Sequence, residues 1–96
     1  MALLLNGSTG ISGINGSAGT PALQGGDADT GIFFGTDTAS IATAGSERLI
    51  VDASGNINVD NGGVYYDAAN NRLGIGTTSP AANLEITPGT GAGTLL

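Results

Sequence analysis

The sequence predicts an all-β chain of short hairpins, preceded by an extended N-terminal arm and unable to bury a sufficient core alone. Three observations lead there. Short runs of β-branched and aromatic residues recur between Gly/Asn/Asp/Ser turn clusters about every 8–12 residues, the punctuation of an all-β chain. No segment repeats its apolar residues at about 3.6-residue spacing through three turns, so helix has almost no support. Gly, Ser, Thr and Asn supply nearly half of the 96 residues, 18 of them Gly, which leaves few large apolar side chains to offset the entropy of ordering the chain. Small chains close that gap with disulfides, metals or partner subunits. With no Cys and no His, oligomerisation is the physical expectation.

Residues 1–26 form the arm. Asn6-Gly7-Ser8 returns as Asn15-Gly16-Ser17, a quasi-repeat in a Gly/Ser-rich stretch. Ile11, Ile14, Ala18, Pro21 and Leu23 punctuate it, which a pure linker does not require, so it reads as an arm ordered against a neighbouring subunit. Residues 27–87 form the β-rich domain. Ile32-Phe33-Phe34 is its first run and Ser40-Ile41-Ala42-Thr43 the second. Gly45-Ser46 leads into Arg48-Leu49-Ile50-Val51, and Asp52-Ala53-Ser54-Gly55 is a hairpin turn with Gly55 available for positive φ. Asn56-Ile57-Asn58-Val59 alternates strictly, which places Ile57 and Val59 on one face. Asp60-Asn61-Gly62-Gly63 turns the chain into Val64-Tyr65-Tyr66, whose two tyrosines must point to opposite faces. Asp67 to Asn71 turns it again into Arg72-Leu73-Gly74-Ile75, and Leu84-Glu85-Ile86 alternates before a flexible tail over 88–96. One turn of helix, capped by Ser79 with Pro80 at its first position, is the single helical candidate. Arg48-Leu49 and Arg72-Leu73 each follow a turn and suggest two related hairpins stacked along a common axis.

The charge is one-sided. Two cations, Arg48 and Arg72, stand against eight carboxylates, for a net charge of −6. Nucleic acid and anionic membrane surfaces both call for a basic patch, so neither is an expected partner. Met1 to Leu5 is apolar but lacks the basic flank and length of a signal peptide, and no stretch approaches a transmembrane span. His, Cys, Lys and Trp are all missing, and enzymes draw most of their bases, nucleophiles and metal ligands from that set.

Asp29-Thr30-Gly31-Ile32-Phe33-Phe34, Ala42-Thr43-Ala44-Gly45-Ser46-Glu47-Arg48-Leu49 and Asp52-Ala53-Ser54-Gly55-Asn56 resemble tail-fibre proteins of tailed bacteriophages, especially those of marine and freshwater bacteria. Asn71-Arg72-Leu73-Gly74-Ile75-Gly76-Thr77-Thr78-Ser79-Pro80 and Leu84-Glu85-Ile86 look like the short repeat such fibres carry. The resemblance covers residues 27–87. It implies a homotrimer in which three chains wrap one axis and complete each other's sheets, an interwoven β-prism or β-sandwich-like assembly. Leu49, Val51, Ile57, Val59, Leu73, Ile75, Leu84 and Ile86 are then its expected core. The implied role is structural, on the virion: a trimeric capsid-decorating (cement) or short fibre protein, or else a tail-fibre or tail-adaptor component in host attachment. The expected partners are further copies of the chain and a major capsid protein or a tail protein. The shortness of the chain favours decoration. Leu3, Leu4, Leu5, Leu95 and Leu96, apolar ends beside polar tracts, are the docking candidates.

Several motifs invite chemistry. Asp29-Thr30-Gly31 matches the catalytic signature of aspartic proteases, in which two aspartates, one per subunit, share a proton and activate water. In that family the Asp follows an apolar strand, whereas Gly25-Gly26-Asp27-Ala28 precedes it here, so a turn leading into a strand is the expectation. Asp27 and Asp29 alternate as in a calcium loop but lack its further ligands. Gly74-Ile75-Gly76 and the spaced Gly13, Gly16 and Gly19 lack the Lys and the following helix of a phosphate loop. Arg48 and Arg72 either pair across subunits with Glu47, Asp52, Asp67 or Glu85, or stand in solvent with little energetic weight. The sequence therefore predicts no enzyme, no cofactor and no metal.

Overall fold

A computed structural model describes residues 4–8 and 10–87. Those residues form ten strands and no helix: β1 Leu4–Asn6, β2 Gly10–Ser12, β3 Leu23–Gln24, β4 Gly31–Gly35, β5 Thr38–Thr43, β6 Ser46–Val51, β7 Ile57–Val59, β8 Val64–Asp67, β9 Arg72–Ile75 and β10 Leu84–Ile86. Each run expected between residues 32 and 86 is a strand. The arm segment supplies three more, with β1 and β2 forming a hairpin of their own and β3 joining the main sheet.

The main sheet has eight strands in the order β10-β9-β8-β7-β6-β5-β4-β3. From β3 to β9 it is an antiparallel meander, each strand pairing with its neighbour in sequence. Three stacked hairpins, β4–β5, β6–β7 and β8–β9, make up most of it. The turns explain why. Ala44 and Gly45 both take positive φ, 51° and 76°, the pair of left-handed residues whose twist suits a tight hairpin. The carboxylate of Asp52 accepts from the amides of Ser54 and Asn56, both at 3.0 Å, and Gly55 takes the positive φ of 85° that closes the turn. Asp67 repeats the device on the Ala69 amide at 3.1 Å.

The last strand differs. β10 runs parallel to β9, so residues 76–83 must carry the chain back across the sheet instead of turning tightly. The helical turn expected at Ser79 and Pro80 is therefore absent; an irregular crossover of successive bends takes its place. The amide of Ala81 is satisfied by the Glu85 carboxylate at 2.6 Å, and the Arg72 guanidinium donates to the Pro80 carbonyl at 3.2 Å. Thr77 lies over Gly74 so closely that a Cβ there would overlap the Thr77 carbonyl oxygen.

The pairing also corrects the echo of the two Arg-Leu pairs. Arg48-Leu49 lies on β6, the first strand of its hairpin, and Arg72-Leu73 on β9, the second strand of the next. The hairpins that do correspond share Asp-Ala at their turns, Asp52-Ala53 and Asp67-Ala68.

The result is a single layer. The radius of gyration is 16.5 Å, with extents of 51 × 28 × 16 Å, against about 12.5 Å for a compact domain of this length. Among the described residues the only buried hydrophobic side chain is Ala42. A sheet needs a second layer to bury its apolar face, and the described residues do not supply one.

A candidate self-association face

Residues directly opposite one another in a ladder project to the same face, and alternate residues of a strand project to opposite faces. Tracing the register from strand to strand therefore sorts the side chains. Leu23, Ile32, Ile41, Leu49, Val59, Val64, Ile75 and Ile86 follow one another as ladder partners, one from each strand. Two residues along each strand, Phe34, Ala39, Val51, Ile57, Tyr66, Leu73 and Leu84 form a second unbroken column. Both columns lie on the same face, and neither contains a charged residue.

The opposite face is mixed. Its central column reads Phe33, Ser40, Ile50, Asn58, Tyr65, Gly74 and Glu85, and the Thr77 crossover segment covers Gly74 there. Tyr65 and Tyr66 thus take opposite faces, as their adjacency requires. Tyr66 sits on the apolar face and its hydroxyl donates to Asn71 Oδ1 at 2.7 Å.

All eight residues expected in a trimer core, Leu49, Val51, Ile57, Val59, Leu73, Ile75, Leu84 and Ile86, lie in these two columns. Leu23, Ile32, Phe34, Ala39, Ile41, Val64 and Tyr66, not among the eight, extend the columns over β3, β4, β5 and β8. Among the described residues nothing closes the face: its exposed members range from 36% accessible at Leu73 to 49% at Leu84. Of the docking candidates, Leu3, Leu95 and Leu96 lie outside the described residues; Leu4 and Leu5 lie in β1, paired with Ser12 and Ile11.

The Asp-Thr-Gly segment is built into a turn. The Asp29 carbonyl accepts the Gly45 amide at 2.8 Å, while Thr30 Oγ1 accepts the Ala44 amide at 3.2 Å and donates to Asp27 Oδ2 at 2.9 Å. The motif thereby clips the β5–β6 turn. The Thr30 hydroxyl and the Asp29 carboxyl hold Asp27 below its usual carboxylate range. The same hydrogen bond to Asp27, with the charge of Asp27 beside it, raises Asp29. Among the described residues no three metal-binding side chains converge.

The arginines serve the sheet rim. A bulge between Ile41 and Ala42 sets Leu49 opposite Ile41 and Glu47 opposite Ala42, leaving Arg48 as the extra residue. Its guanidinium donates to Thr43 Oγ1 at 2.8 Å and approaches Asp60 at 3.6 Å, with both charged side chains largely in solvent. Comparison with known protein families, curated proteins and solved structures returns no match.

Proposed function

We propose that this chain is a non-enzymatic structural protein of a bacteriophage virion, a homotrimer that decorates and reinforces the particle surface. The observation that carries the self-assembling part is the open apolar face. The 9.3 kDa chain exposes 6281 Å², against roughly 5,000 Å² for a compact monomer of that mass. That excess belongs to the chain as a whole; on this face, ten large apolar side chains stand 36–49% exposed, side by side in two columns. Two adjacent apolar columns without a charged member are costly to leave in water and suit a dry, permanent contact.

The virion assignment rests on the resemblance to tail fibres over residues 27–87, and the ladder's long, narrow shape agrees with it. Three copies on one axis would give a rod able to add several weak contacts into firm attachment to a capsid protein. Light scattering after size exclusion, with an unheated detergent gel beside it, tests the assembly. A stable trimer supports the reading, and a folded monomer overturns it. A dimer that cleaves peptides in acid and loses activity on Asp29→Asn would replace it with an aspartic protease. Co-sedimentation with emptied phage heads at high copy number supports decoration; binding to tails in few copies assigns the chain to the attachment apparatus.

A further inference from the structure

The two apolar columns are not equivalent. The first, Leu23 to Ile86, contains only Val, Ile and Leu. The second mixes Phe34 and Tyr66 with Ala39, and Phe34 and Ala39 are direct ladder partners. In an assembly whose symmetry axis runs along a column, each level is built from copies of one side chain. A uniform column keeps such levels equally filled. A Phe level next to an Ala level would be crowded and then hollow, and both errors destabilise a close-packed interior. Tyr66 adds an independent constraint, since its hydroxyl is held by Asn71, an exposed turn residue. At Tyr66 the second column therefore reaches the side of the Asp52 and Asp67 turns, where the hydroxyl meets solvent.

We infer that the Leu23–Ile86 column is the seam where copies of this chain meet like against like, and that the Phe34–Leu84 column flanks it. The occupant of the face is a second copy running in the same direction, so that each level matches its own counterpart. This inference rests on the self-assembling reading above and adds to it the contact line and the relative direction of the chains. The ten apolar side chains that stand 36–49% exposed on this face are what such a contact would cover.

The absence of cysteine makes the test direct. Ile32→Cys and Ile75→Cys place single thiols in the seam on β4 and β9, towards opposite ends of the ladder. Phe34→Cys and Leu73→Cys place them in the flank on the same two strands. Each variant is first weighed by light scattering to show that it assembles, then treated with a short bifunctional thiol cross-linker and run on a denaturing gel. Leu23→Cys and Ile86→Cys replace any seam variant that fails to assemble. Both seam thiols are expected to give several-fold more cross-linked dimer than both flank thiols. Equal cross-linking in the two columns, or more in the flank, overturns the seam. Failure of both end positions while Val59→Cys near the middle cross-links would mean antiparallel copies and overturns the common direction. Wild-type protein that weighs as a monomer removes self-association itself; an oligomer with the wrong cross-linking pattern removes only the seam.

Discussion

Asn56 Oδ1 accepts the backbone amide of Ala68 at 2.8 Å, so one side chain ties the turn of the β6–β7 hairpin to the turn of the β8–β9 hairpin. The same side chain donates through Nδ2 to Asp52 Oδ2 at 3.2 Å, and Ala68 is the residue that a Cβ on Gly55 would touch at 3.4 Å. The turns along this edge are therefore cross-braced as well as stacked. Removing Asn56 leaves a part-buried amide without its acceptor. Asn56→Ala is expected to destabilise the fold by about 1–2 kcal/mol, read as a lowered thermal midpoint, while Ser54→Ala, whose side chain is exposed, moves it little.

Acid should loosen the same turn. Partial desolvation raises the Asp52 carboxyl, but the Asn56 amide and side chain and the Ser54 and Gly55 amides outweigh it and hold the group below its ordinary 3.8. A depressed folded value means that the unfolded chain binds the proton more readily, so this contribution is present above about pH 4 and lost as pH falls through the folded value. Thermal melts between pH 6 and pH 2 should show that loss, and Asp52→Asn should flatten the acid limb by destabilising the protein already at pH 6.

The pair at the Asp-Thr-Gly clip should titrate in two steps. Asp27 lies below the ordinary 3.8 and Asp29 above it, each shifted by the other, and the steps belong to the pair. Carboxyl carbon chemical shifts followed against pH would report them. Asp27→Asn is expected to bring the Asp29 transition down towards 3.8. An unmoved transition would mean that Asp27 is not its cause.

A charge on the apolar face should prevent assembly. Ile57 lies in the flanking column between Val51 and Tyr66, and Ile57→Asp would bury a carboxylate with no cation beside it, which costs several kcal/mol. The variant is expected to run at monomer mass, whereas Thr36→Asp, in the exposed β4–β5 turn, assembles normally. Unchanged assembly of Ile57→Asp would remove this face from the interface.

The crossover depends on one missing side chain. Gly74→Val would drive a Cβ into the Thr77 carbonyl and displace the segment that carries β10. Overpacking of this kind typically costs about 1–3 kcal/mol. Hydrogen exchange localises the damage, because the amides of Leu73 and Thr87 bond to Asn83 and Ile75 across this junction. Both are expected to lose protection while the Ile41 amide in β5 keeps its own.

Much of the ladder was legible because short strands with strict alternation leave little choice. Ile57 and Val59, and Leu84 and Ile86, declare their face from spacing alone, and all eight residues nominated for the core share it. Ile32-Phe33-Phe34 does not, since three apolar residues in a row hide which one is the odd member. Only the pairing of Ile32 with Ile41 and of Phe34 with Ala39 sets Phe33 on the far side. β3 is two residues long and carries no periodicity. Ser79-Pro80-Ala81-Ala82 satisfies local helix rules, and what overrides them is the non-local pairing of β10 with β9. The paired Asp-Ala turns were visible as words but masked by the more conspicuous arginines.

Strand pairing between sequence neighbours alone has a kinetic consequence. Loop-closure entropy is small for every step of this meander, and folds rich in local contacts form fast. Each hairpin can close as it emerges during synthesis and template the next, before another copy is met. Maturation would then divide into a concentration-independent zipping of the single chain and a second-order encounter between zipped chains. In dilute solution the encounter would set the pace, leaving a transient species whose sheet is complete and whose apolar face is still wet.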